Sequence, residues 1–162
     1  MSHIGQVINA MIAYYAGDVR RINHFLKVYG FAKAIGEMEG LEESTQEILE
    51  ITALTHDIGI KNSEKKYNNS AGNYQQIEGP PEAKKLLEGL GIESGVIDRV
   101  CWLIAHHHTY TDIQGIDYQI LVEADFLVNF YEDDMSIDSV HSAGGKMFKT
   151  LSGKAILNAI YS

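Results

Sequence analysis

Cysteine is almost missing from this chain: Cys101 is the only one in 162 residues. A single thiol excludes an internal disulfide and any zinc site built from several cysteines. Its neighbours Val100, Trp102 and Leu103 suit plain burial. Long apolar runs are lacking too, and none approaches the roughly 18 residues that a membrane span requires. The opening residues Met1-Ser2-His3-Ile4-Gly5 carry no basic segment followed by an apolar one, so the expected compartment is the cytoplasm, without a membrane partner. Cationic runs are equally scarce. Thirteen Lys and Arg face 22 Asp and Glu, a formal charge of −9, and the densest basic pairs, Lys65-Lys66 and Lys84-Lys85, lie near Glu64 and Glu82. Such a surface repels a nucleic-acid backbone, which excludes bulk nucleic-acid binding. A small anionic substrate can still be drawn in by a bound cation.

Alternating strand-like stretches, internal repeats, low-complexity tracts and linkers are also absent, whereas helical periodicity runs along most of the chain. The length and the 45% hydrophobic content fit one globular domain over residues 1–162. Helices are expected over 3–16, closed by Gly17, over 18–35, capped by Asp18, and over 42–58. From Gly59 to Gly79 the pattern breaks into Lys, Asn, Ser, Gly, Gln and Tyr, which reads as an active-site loop. Pro80-Pro81 then opens a helix to about Leu90, because proline is tolerated in a first turn. Further helices are expected over 93–108 and 117–131, with two weaker segments after Ser136 separated near Thr150. The fold class is all-α.

At three places polar residues sit where the periodicity calls for apolar ones. His24 shares a stripe with Val28, Phe31, Ala32 and Ile35. His56-Asp57 ends the apolar helix of Ile51 and Leu54, just before Gly59 turns the chain. Asp125 falls in step with Leu121, Val122 and Val128, where an unpaired carboxylate would cost several kcal/mol. One divalent cation held by His24, His56, Asp57 and Asp125 accounts for all three. Two nitrogens and two carboxylates with open positions suit Mn, Fe, Co, Ni, Mg or Zn.

The order His24, then Thr55-His56-Asp57-Ile58-Gly59, then Glu123-Ala124-Asp125 resembles the HD-domain superfamily of metal-dependent phosphohydrolases. The likeness runs from Arg20-Arg21-Ile22-Asn23-His24 through the helix of Asp125. It implies a helical bundle with a mononuclear or binuclear metal centre. It also implies cleavage of phosphomonoesters or phosphodiesters of nucleotides, a minority of the family being diiron oxygenases.

The run Ala105-His106-His107-His108-Thr109 stands where binuclear relatives place further histidine ligands. Helical phase favours His107, which continues Val100, Leu103 and Ile104, and then His108. Between the doublet and this run such relatives supply another histidine, where this chain has Tyr74-Gln75-Gln76-Ile77-Glu78, with Glu78 the candidate replacement. Some relatives follow the doublet with Gly-Lys, and here Gly59-Ile60-Lys61 stands in that place. Lys61 is the candidate contact to a phosphate oxygen or leaving group, and Arg20 or Arg21, about one turn before His24, is the candidate phosphate clamp. Tyr67, Tyr74 and Tyr110 flank the expected cleft.

The resulting expectation is a hydrolase that uses metal-activated water on a small phosphorylated substrate, with Asp57 both ligating and accepting a proton. One metal is expected; a second would draw on His107, His108 and Glu78. The rival readings are a diiron oxygenase on the same scaffold and a regulatory module that binds metal without turnover. The sequence does not specify oligomeric state.

Overall fold

The computed structural model describes residues 3–162. Among them nine helices and no strand occur: α1 Ile4–Tyr14, α2 Val19–Met38, α3 Glu43–Thr55, α4 Ile60–Tyr67, α5 Gly72–Gly89, α6 Ser94–His106, α7 Ile116–Glu132, α8 Ile137–Met147 and α9 Leu151–Ile160. The architecture is the expected all-α bundle, and no described helix is long and apolar enough to cross a membrane.

α3 is the central post, packed against α1, α2, α6 and α7. Every residue from Leu49 to Thr55 is buried, so this helix needs apolar groups on all sides. Leu49 and Ala53 join a core with α2, α7, α8 and α9, while Ile51 and Leu54 join a second core with α1, α5 and α6. Each fully buried Leu, Ile or Phe contributes about 1.5–3 kcal/mol. The two buried threonines of α3 bond back to its own carbonyls, Thr52 to Ile48 at 2.7 Å and Thr55 to Ile51 at 2.8 Å, so neither hydroxyl is left unpaired. With both cores gripping its flanks, the end of α3 is held firmly, and there the His-Asp doublet begins.

Helix boundaries follow local chemistry. Asp18 caps α2 by accepting from Arg21 N, Ser136 caps α8 and Thr150 caps α9. Buried Glu123 on α7 accepts from the backbone N–H groups of Lys149 and Thr150 at 2.9 and 3.0 Å and from the Thr150 hydroxyl at 2.6 Å. That carboxylate ties the start of α9 to the bundle.

The expected loop over 59–79 is not a loop. Two helices, α4 and α5, occupy it and leave only residues 68–71 as their connection. α4 buries only Ile60 and Ser63, so most of it is solvated and reads as polar. α5 turns Gln75, Glu78 and Gly79 inward beside Ala83 and Leu87, and polar residues on the buried face conceal its periodicity. Pro80 and Pro81 accordingly lie inside α5 instead of opening it. The turn after the doublet packs on this helix without side chains: a Cβ on Gly59 would come within 2.6 Å of the Gly79 nitrogen and 2.7 Å of the Gln75 carbonyl oxygen. This contact draws α5 up to the end of α3.

Candidate metal centre

Four helices deliver side chains to one point. His24 comes from the second turn of α2, His56 and Asp57 from the end of α3, His107 and His108 from the end of α6, and Asp125 from the middle of α7. His24 Nε2 lies 3.4 Å from His56 Nε2, 3.2 Å from Asp57 Oδ2 and 3.2 Å from Asp125 Oδ1. His56 Nε2 lies 3.4 Å from Asp57 Oδ2 and 3.3 Å from Asp125 Oδ1. Donors about 2.1 Å from a common centre in a tetrahedron would stand about 3.4 Å apart, so the spacing is that of a cation cage.

The donor chemistry fits as well. His56 Nδ1 donates to Ala53 O at 2.7 Å and His107 Nδ1 to Ile104 O at 2.7 Å, which leaves each Nε2 lone pair facing inward. His24 Nδ1 is engaged by the Glu132 carboxylate at 2.7 Å. Two buried atoms in the cluster, His107 Nε2 and Asp125 Oδ1, make no hydrogen bond. Unpaired buried polar atoms are costly; a cation beside His24, His56 and Asp57 would satisfy Asp125 Oδ1, and one beside Asp57 and His108 would satisfy His107 Nε2. The Asp57 carboxylate bridges two groups of donors, its Oδ2 toward His24 and His56 and its Oδ1 3.6 Å from His107 Nε2. The groups His24-His56-Asp57 and Asp57-His107-His108 are each close enough to hold a metal ion. Tyr15 fixes the doublet from behind by donating its hydroxyl to Asp57 O at 2.8 Å.

Without a cation, protons take over this role. Burial alone would lower the His24 pKa, but the close carboxylates of Asp125 and Asp57 outweigh it and raise the value to about 11. His56 moves the same way against its own burial, through the charges of Asp57 and Asp125. Burial would raise Asp57 and Asp125, yet the His56 charge and the other close imidazoles hold both below the ordinary carboxylate range. His108 is pushed down to about 4 by burial and by the neighbouring His107. The cluster is therefore built for positive charge among carboxylates, with His108 neutral at physiological pH.

The centre opens into a cavity of about 500 Å³. His24, Asp57 and Asp125 form its floor, and its walls include Arg20, Arg21, Gln75, His108, Asn129, Glu132 and Asp133. Arg21 is committed to Asp18 at 3.0 Å and to Glu64, whereas Arg20 has no ion pair among the described residues and leaves its guanidinium available. His106 is directed away from the centre and stacks on Trp102 with ring centroids 4.0 Å apart.

Two expected contacts are not formed. Lys61 does not reach the centre: its ammonium donates to Tyr14 O at 3.0 Å and lies over the Tyr14 ring, because α4 starts immediately after Gly59 and carries it to the other side of Arg21. Glu78 is neither a ligand nor a loop carboxylate. It is one turn beyond Gln75 on α5, clamped by Lys66 at 2.7 Å and the Tyr67 hydroxyl at 3.0 Å. Gln75 is the residue of that segment that faces the cavity, and its Oε1 accepts from His108 Nε2 at 2.9 Å. Tyr67 and Tyr74 stack on each other, centroids 4.2 Å apart, and Tyr110 packs on Phe126.

Sequence reasoning passed over Gln75, Asn129 and Glu132. The signal for the last two was periodicity: Asn129 and Glu132 follow Asp125 by four and seven residues, on the same face of α7.

Comparison with known proteins places this geometry in context. The family profile described as HD domain matches residues 21–140, which include every donor of the cluster. The crystal structure of a predicted HD superfamily hydrolase from an uncultured Thermotogales bacterium superposes with a TM-score of 0.71, covering 98% of this chain and 85% of that one at 20% sequence identity. At that identity the likeness concerns the fold. No curated protein sequence matches the chain significantly.

Proposed function

The chain belongs to the HD-domain family, and from that premise we propose that it hydrolyses phosphate esters of small molecules, nucleotides first among them, in a metal-dependent reaction. The observation that carries this reading is the convergence of four side chains at the floor of an open cavity: the Nε2 atoms of His24 and His56 lie within 3.4 Å of each other and of carboxylate oxygens of both Asp57 and Asp125. A divalent cation bound there would acidify water and offset charge on phosphate oxygens.

The chain's own residues supply the rest. The imidazoles of His24 and His56 and the carboxylates of Asp57 and Asp125 would hold the cation, and Asp57 would also accept a proton from water. Arg20, which has no ion pair among the described residues, meets the substrate phosphate with its planar fork of donors. Gln75 and His108 form a hydrogen-bonded wall that orients substrate oxygens, and Asn129 offers a further amide. The Asp57-His107-His108 group supports a second reading, a diiron oxygenase, whose second iron these residues would hold. Against it, His108 would have to surrender its bond to Gln75 before offering Nε2 to a metal.

A panel of nucleotides and other phosphate esters, assayed with added Mn, Co, Ni or Mg, distinguishes the two. Release of phosphate or nucleoside is expected from the wild type, with loss on chelation and in an Asp125→Ala control. No hydrolysis, combined with oxygen consumption by the iron-loaded protein, would overturn the phosphohydrolase reading.

A further inference from the structure

Three imidazoles face the centre through Nε2, but their outer nitrogens are held differently. For His56 and His107 the partner of Nδ1 is a neutral backbone carbonyl one turn earlier on the same segment. For His24 it is the carboxylate of Glu132, at 2.7 Å, reaching across from α7 to α2. Glu132 is the last residue of α7, where the partial negative charge of the helix end disfavours a carboxylate, and no basic residue in that last turn offsets it. Both of its oxygens are used on α2: Oε1 by His24 and Oε2 by Lys27 at 3.3 Å. Its side chain is only 13% exposed, so this pairing is partly shielded from water.

We infer that Glu132 is a positioning residue of the metal centre, which fixes His24 as the tautomer protonated at Nδ1 and makes it the most electron-rich of the histidine donors. The inference rests on the metal-dependent reading above and adds to it a residue outside the ligand set. A carboxylate on the far nitrogen of a ligating imidazole orients the ring and strengthens its donation. The backbone carbonyls behind His56 and His107 orient their rings but bring no full charge. Lys27 holds the second oxygen of Glu132, so that the first stays aimed at His24.

The test is the dissociation constant for Co(II), measured by competition with a chromophoric chelator, for the wild type, Glu132→Ala and Glu132→Gln, with circular dichroism reporting the fold. Glu132→Ala is expected to bind cobalt about 10–100-fold more weakly at unchanged helicity. Glu132→Gln, whose amide oxygen still accepts from Nδ1, should recover part of that loss. A role confined to packing would weaken neither variant that folds. Wild-type affinity in folded Glu132→Ala would overturn the inference; should that variant not fold, wild-type affinity in Glu132→Gln would do the same. A wild type that binds no cobalt would overturn the metal reading itself, a result separable from the other two.

Discussion

Consecutive histidines on one helix end cannot all serve one site, because successive residues point about 100° apart. His107 is buried with an unpaired Nε2 directed at Asp57, while His106 lies against Trp102 at the surface. His107→Ala should therefore lower hydrolytic rate or metal content well beyond His106→Ala, a difference that steady-state kinetics and metal analysis on the two variants can read. Equal effects would mean that the phase of α6 does not select between them. This distinction was legible in the sequence, since His107 continues the apolar series Val100, Leu103 and Ile104. The same logic exposed Asp125, a carboxylate in an apolar row. It missed Glu132, because the helix was expected to end at Tyr131, one residue short of it, and the partner across the gap, His24, shows only in the fold. It misassigned Lys61 and Glu78 for a related reason: residue type suggested a role that only the direction of α4 and α5 could grant or deny.

Elements as a whole were readable where one face was uniformly apolar. α2, α3, α6 and α7 emerged from the sequence with boundaries near the observed ones because each feeds a core. α4 and α5 did not, since α4 is mostly solvated and α5 buries polar side chains; a pattern of hydrophobicity cannot reveal a helix whose inward residues are Gln75 and Glu78. The C-terminal pair was read correctly as two segments split near Thr150, but not the device that holds them. Glu123, fully buried on α7, accepts from Gln119 at 2.7 Å as well as from Lys149 and Thr150 at the start of α9. A Cβ on Gly153 would strike that carboxylate, so the helix start is shaped around it. Removing the acceptor would leave several buried donors unpaired, at a cost of about 2–4 kcal/mol. Glu123→Ala should therefore unfold at distinctly lower urea concentration than the wild type; an unchanged midpoint would show that α9 is held by its apolar contacts alone.

For the whole molecule, two features work together. The chain carries a net charge of −9, yet the cavity gathers imidazoles and carboxylates around a point suited to a cation. The helical bundle exists, in this view, to bring α2, α3 and α7 close enough for that point to form, with α6 completing one side. The central claim is that His24, His56, Asp57 and Asp125 bind a divalent metal. Its most direct test is metal content per chain by elemental analysis after reconstitution and desalting, on the wild type beside Asp125→Ala. The account predicts at least one tightly held metal in the wild type and its loss in the variant, with helical circular dichroism retained. A wild type that holds none, or a variant that keeps full occupancy, would contradict it.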